Sequence, residues 1–404
     1  MAKDNLIAGL DIGTGHIKLL VVKQKDDGSG FEVISQLKEP SFGVRKGVVV
    51  DPEKVSRIIQ ILLNKAREET GKRIGAVFTN IGGSHLFCTS SRGMVAVSRA
   101  DQRVTEMDIN RVLDSAKTVS LPLNNEILEV FPRGYIVDNE KGIKEVLGMQ
   151  GGRLEVETVI LAAFSPYINN LTQSVLSSDL HVLDVVPSVI ASAAAVLSPR
   201  QKELGAAVLD IGAGTSEIAV FEEGDLTHLA VFPIGSSNIT NDIAIGLKTD
   251  VDTAEAIKIE KGSCLFKGAD KKEKIELEGE ETLVFSQKML ARIIEARVSE
   301  IFGEVQKELK KIQKQGMLPA GITLTGGGSR VPRIVDLAKK ELKLPCRIGK
   351  QDCFYGLDDE LSFATACGLI MKATNVGGRE VKKENWGSQG FGERAKKILK
   401  IFIP

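Results

Sequence analysis

Two stretches of this sequence carry residue types and spacings suited to holding a polyphosphate. "GLDIGTGHIKLLVV" at 9–22 and "VLDIGAGTSEIAVF" at 208–221 each run an apolar strand into an aspartate, then Gly-x-Gly, then a second strand. In such a hairpin, glycines let backbone N–H groups approach phosphate oxygens closely. The aspartate at the strand end, Asp11 or Asp210, suits a hydrated Mg²⁺ held through water. Gly13, Gly15, Gly212 and Gly214 supply bare backbone, Thr14 and Thr215 add hydroxyls, and His16 and Lys18 add ring nitrogens and a positive charge. One D-x-G-x-G is an ordinary turn, but two copies roughly 200 residues apart point to a duplicated phosphate site.

A third element, "ITLTGGGSRVPRI" at 322–334, reads as a strand, three glycines and a helix start at Pro332. Gly326, Gly327, Gly328 and Ser329 would let a flat base or an α-phosphate lie against backbone at a helix N-terminus. Gly235, closing the strand "LTHLAVFPIG", is counted with them.

These loops need elements to hold them. The N-terminal stretch reads as strand, turn, strand, with a further strand "FEVISQL" after the turn at 27–30. A helix is predicted over 52–70, with Asp51 as cap, Pro52 at its first position and Gly71 closing it. Residues 84–164 read as a separate module: strands around "LFCTSSRG" and "MVAVS", a helix from Thr105, and strands near 126–137 and 153–163. From Leu204 the opening pattern returns, interrupted by a charged helical insertion over about 237–315 that ends in a long helix.

Composition narrows the function classes. Fifty-three Lys plus Arg against 53 Asp plus Glu give zero formal charge, so no global field argues for nucleic acid. Cys88, Cys264, Cys346, Cys353 and Cys367 form no C-x-x-C pair and read as reduced thiols. The N-terminus is too short and acidic for a secretory signal, and no run nears the roughly 18 apolar residues of a membrane span.

Two phosphate hairpins with a glycine-rich turn behind them resemble the actin-like ATPase superfamily. That resemblance implies an α/β, actin-like (ribonuclease-H-like, duplicated) fold of two lobes clamping ATP and Mg²⁺. Lobe one would take 1–83, 165–199 and 345–375; lobe two 200–344, with its small subdomain at 237–315. The superfamily's two connecting helices look like "PSVIASAAAVL" and "ELSFATACGLIMK", whose small residues would let them cross closely. Its ribose-side pair resembles Glu255 and Lys258, although a surface i, i+3 ion pair explains them as well. Active relatives often carry an acidic or amide residue before the connecting-helix proline; here Val186 precedes Pro187, so hydrolysis is expected to be slow or absent unless another residue fills the role.

The remaining stretch is the tail. Residues 376–390 read as a polar, glycine-rich linker. On an ideal helix of about 100° per residue, Phe391, Ile398, Leu399, Ile401 and Phe402 fall within an arc of roughly 200°, and Lys396, Lys397 and Lys400 take the other side. An amphipathic helix over 391–404 would lie among anionic headgroups; docking onto the fold is the competing reading.

Clamp, inserted module and basic tail together are similar to the FtsA family of bacterial cell-division proteins. The resemblance implies a peripheral protein on the cytoplasmic face of the membrane at the division site. It would form filaments with itself, bind the C-terminal tail of FtsZ and recruit other division proteins. Lys288, Arg292 and Arg297 on the long helix would be candidates to meet that acidic tail. Two alternatives remain open: a pilus-assembly-type ATP-binding adaptor, and a kinase, which would need a cleft carboxylate base that no motif supplies.

Overall fold

The computed structural model describes residues 6–25, 27–268, 270–276 and 282–374. The linker and the tail helix expected over 376–404 lie outside the described residues.

The duplication seen in sequence is a duplication of sheets. In the first, Leu6–Ile12, His16–Gln24 and Phe31–Pro40 pair antiparallel in succession. Ala76–Ile81 and then His181–Pro187 add parallel on the other side of Leu6–Ile12, and Phe354–Tyr355 closes the far edge. The second sheet repeats this with Ala206–Ile211, Ser216–Glu222 and Asp225–Phe232 antiparallel, and Ile322–Thr325 and Cys346–Ile348 parallel, so the stretch 346–348, expected in lobe one, pairs into the sheet of lobe two. Both central hairpins read as near-continuous apolar runs because their inner strands are covered on both faces. Leu10, Leu19, Leu20, Leu209 and Ile218 are wholly buried.

The helix Pro52–Thr70 forms as its signals predict. Asp51 accepts from the Lys54 N–H, Pro52 fills the first turn, and Gly71 ends it at φ 66°. Two helices join the halves: Ser188–Val196 and Glu360–Thr374. They cross where a Cβ on Gly368 would sit 1.7 Å from the Ala191 carbonyl oxygen, so only glycine permits this approach.

The inserted module is a four-stranded sheet ordered Phe87–Ala96, Arg153–Phe164, Asn125–Val137, Glu140–Ile143, with Glu106–Ala116 against its first strand. Thr105 and Asp108 cap that helix reciprocally. Two expectations are corrected here. "LFCTSSRG" and "MVAVS" are one unbroken strand, paired from Phe87↔Ala162 to Ala96↔Arg153. At Gly93, where the two stretches adjoin, the helix lies down: a Cβ there would meet the Val112 carbonyl at 2.1 Å. The insertion read as wholly helical contains the ribbon Lys272–Glu276 with Thr282–Ser286. Its charged side chains hid the strand alternation, since among those described only Phe285 is fully buried.

His85 stands where the module leaves the first lobe, its ring edge-on to Tyr167 at 5.0 Å between centroids. Both ring nitrogens are buried without partners among the described residues, and burial pushes its pKa down to about 4. The unfolded chain therefore binds this proton below about pH 6.5 while the native state does not, so native stability falls as pH falls. Relative to His85→Phe, the wild type is expected to lose roughly 1–3 kcal/mol between pH 7 and pH 4.5, read from denaturant midpoints at both values.

Candidate nucleotide cleft

The two hairpin loops meet tip to tip between the lobes. A Cβ on Gly214 would lie 2.8 Å from Thr14 Cγ2, and one on Gly15 would lie 2.9 Å from the Ala213 Cβ. The same register governs both hairpins: Asp11 pairs across with Lys18, and Asp210 with Glu217. Each loop thus presents an aspartate and, seven residues on, a second charged group on the neighbouring strand.

Asp11 is held on both oxygens. Lys18 Nζ donates to Oδ2 at 2.7 Å and Asn80 Nδ2 to Oδ1 at 2.9 Å, while Asn80 Oδ1 accepts from the Ile12 N–H at 2.7 Å. Asp210 is anchored by the joining helices: Ser192 Oγ donates to Oδ2 at 2.5 Å, and Thr365 Oγ1 lies 3.5 Å from the same oxygen. Burial pushes the Asp210 carboxyl above the usual carboxylate range, the Ser192 bond opposes this, and the charge of Asp11 adds to it.

Glu217 is the residue that sequence reading missed. It is 5% exposed, Oε2 has no hydrogen-bond partner among the described residues, and its carboxyl is pushed up to about 8. Burial is the largest cause and Asp210 the next, while backbone groups of Val189 and Gly83 lean the other way. The signal was available: laying the two copies over one another puts Glu217 where the first has Lys18. Val186, by contrast, is buried in its strand and does not line the cleft.

The cleft has a volume of about 670 Å³, within the range of small-molecule sites. Of the residues singled out in sequence, Asp11, Gly13, Thr14, Gly15, His16, Lys18, Asp210, Gly212, Thr215, Glu255, Lys258, Gly326, Gly327 and Gly328 line it. Gly214, Gly235 and Ser329 stand behind the wall. Gly235 lets the second loop press against a helix start, for a Cβ there would meet the Ala213 carbonyl at 2.5 Å. Ser329 Oγ donates to the Thr325 carbonyl at 2.6 Å.

The glycine run does not open a helix at Pro332. Gly326 turns at φ 82°, Gly327–Arg330 forms a 3₁₀ turn, and the α-helix begins at Ile334 after Arg333 at φ 65°. A Cβ on Gly327 would meet nothing within 4 Å, so bare backbone faces the open cleft there. Lys258 is no surface partner: it is 7% exposed, and its ammonium donates to Glu255 Oε2 at 2.6 Å and to Thr240 Oγ1 at 2.8 Å. Burial hides His16 in part, and that, with Lys18 and Lys38 nearby, holds its imidazole neutral to lower pH than usual.

The long helix Gln287–Lys311 treats its three basic candidates differently. Arg297 is engaged within the fold, Nε to Asp242 Oδ2 at 2.6 Å and Nη2 to Oδ1 at 2.9 Å, which removes it from the residues able to greet an acidic partner. Lys288 and Arg292 are exposed, with Met289 beside them at 44%. The membrane candidates Phe391 to Phe402 lie outside the described residues.

Among known proteins, residues 207–368 match the family model described as cell division protein FtsA, and residues 83–162 match the SHS2 domain inserted in FtsA. The cell division protein FtsA of Pseudomonas aeruginosa is 38% identical over 372 residues, 91% of this chain and 88% of that protein. Among solved structures, a chain of a PilM-PilN type IV pilus biogenesis complex superimposes with a TM-score of 0.66 at 17% identity, covering 91% of this chain and 98% of that one. MreB5 of Spiroplasma citri bound to ADP gives a TM-score of 0.56 at 13% identity, covering 92% and 97%. At such identities the structural likenesses show a shared actin-like fold.

Proposed function

This chain belongs to the FtsA family of cell-division proteins, and we propose from this that it is an ATP-dependent scaffold tethering the FtsZ ring to the inner face of the cytoplasmic membrane. The observation that carries the nucleotide part is the meeting of the two glycine loops beneath a cleft floored by Asp11, Asp210 and Glu217. The likeness to a pilus-complex chain is one of fold and gives the pilus-adaptor reading no support of its own.

The residues fit ATP with Mg²⁺. Three carboxyl groups stand close with Lys18 paired to Asp11, and two of the three are pushed toward neutrality, Asp210 by burial and the charge of Asp11, Glu217 by burial and the charges of Asp210 and Asp11. Asp11 and Asp210 would hold the waters of a hydrated divalent cation, whose charge would relieve that crowding. When bound, the cation would neutralise phosphate charge. Lys18, already on Asp11, keeps two further N–H donors that could meet a phosphate oxygen. Gly13 and Gly212 close their loops by donating to the His16 and Thr215 carbonyls, so the loop backbone between them and the Thr215 hydroxyl offer the donors, with Gly327 a bare face for the base and Glu255 with Lys258 a ribose-side pair.

Val186 has no side-chain acceptor atom, and proton acceptance from an attacking water is assigned to Glu217, whose Oε2 has no hydrogen-bond partner among the described residues. Protonated near neutral pH, it is a reluctant base, which suits a nucleotide acting as a conformational switch more than as fuel. Self-association into filaments, recruitment of further division proteins and capture of the FtsZ tail near Lys288 and Arg292 complete the reading.

Membrane attachment rests on the pattern of residues 391–404. Deleting them is expected to lower co-sedimentation with anionic vesicles by about tenfold or more while nucleotide affinity stays within twofold. Unchanged sedimentation would remove the membrane tether from this reading, and loss of nucleotide binding would mean that the segment docks on the fold.

A further inference from the structure

Outside the cleft, a thiol, an imidazole and a carboxylate stand in line where the inserted module meets the second lobe. Cys88 lies on the strand Phe87–Ala96, His228 on Asp225–Phe232, and Glu308 on the helix Gln287–Lys311. Cys88 Sγ is 3.6 Å from His228 Nδ1, and His228 Nε2 is 2.9 Å from Glu308 Oε2. Glu308 keeps its other oxygen on Lys311 Nζ, at 2.5 Å. With both ring nitrogens protonated, the imidazolium donates to sulfur on one side and to carboxylate on the other. This is the order in which a thiolate is made stable and reactive. The neutral thiol has a weaker option, donating to the Leu229 carbonyl at 3.4 Å.

We propose that Cys88 is a thiol-modification site for small disulfides, activated by His228 and positioned through Glu308 at the junction of module and lobe. Its sulfur attacks one sulfur of the disulfide. A mixed disulfide forms as the reagent's S–S bond breaks, and the departing thiolate takes the electron pair and then the imidazolium proton. No other oxidant is needed.

The rest of the chain supplies the contrast. Burial pushes Cys264 up to about 12, Cys346 up to about 11, and Cys367 and Cys353 upward as well, so those thiols stay protonated at neutral pH. Cys88 shifts the other way, its burial opposed chiefly by the His228 bond, and His228 and Glu308 shift as an imidazolium and a carboxylate should. Cys88 is also half-buried, as Cys353 is, while the other three are buried. Exposure therefore does not separate Cys88 from Cys353, and the imidazole does.

The test treats the full-length chain with oxidised glutathione at pH 7 and follows each cysteine by peptide mass spectrometry. Mixed disulfide at Cys88 is expected to form at least about tenfold faster than at Cys353. His228→Asn should bring the two within about twofold, and Glu308→Gln should slow Cys88 in part. A Cys88 rate no faster than Cys353, or one unchanged by His228→Asn, overturns the proposal. If His228→Asn labels all five cysteines at one rate it has unfolded, and Glu308→Gln then decides: an unchanged Cys88 rate overturns the proposal and a slowed one upholds it.

Discussion

Gly368→Val is expected to cost about 3 kcal/mol or more, enough to prevent purification of a folded chain or to lower its denaturant midpoint sharply. The added Cβ would stand 1.7 Å from a backbone oxygen, and a backbone cannot rotate aside as a side chain does. The joining helices must part, and parting them disturbs more than packing. Ser192 and Thr365, one from each helix, are 3.0 Å apart and share Asp210 between them. Nucleotide affinity should therefore fall along with stability. Gly303→Ala is the matched control: on the long helix a Cβ at Gly303 would meet nothing within 4 Å, so the change should stabilise by about 0.5–1 kcal/mol. Equal midpoints for the two variants would show that the helix crossing does not set the spacing of the lobes.

Glu217→Gln is expected to lower single-turnover ATP hydrolysis by about 100-fold while leaving divalent-free nucleotide affinity within twofold. Glutamine keeps the shape and the neutral state of a carboxyl held near 8, yet cannot accept the water's proton. A second readout comes from stability. The native Glu217 stays protonated up to about pH 8 whereas the unfolded residue ionises near 4.5, so its contribution to native stability drains away as pH rises between those values. The variant has no such loss and should gain on the wild type by a few kcal/mol at most from pH 5 to pH 8. Hydrolysis within threefold of wild type, or a wild-type rate already at background, would sink the assignment of Glu217 as proton acceptor.

Much of this site was visible in the chain. The repeated Asp-x-Gly-x-Gly hairpins, the Gly326–Gly328 turn and the small residues around Ala191 and Gly368 are local requirements: a tight loop, bare backbone and a close helix crossing each demand a residue type at a place. Such demands survive in sequence. The helix caps at Asp51 and Thr105 were legible for the same reason, since a cap acts within three residues.

What escaped was everything set by contact between distant segments. One strand was read as two around Gly93, where a helix lies on the backbone, and the Lys272–Glu276 ribbon hid among charges because it needs little burial. Arg297 looked free until Asp242 arrived from another helix. Glu217 is the sharpest case. The repeat located it opposite Asp210, but sequence assigns no environment, and it is burial against Gly82 beside a second carboxyl that raises this glutamate and leaves Oε2 without a partner among the described residues. Cys88 likewise is a bland half-buried thiol until the second lobe brings His228 to it. Backbone geometry is a local demand, so the phosphate loops and their duplication could be written in the chain alone; desolvation and through-space charge arise only when folding brings remote residues together, and they decide which carboxyl and which thiol can react.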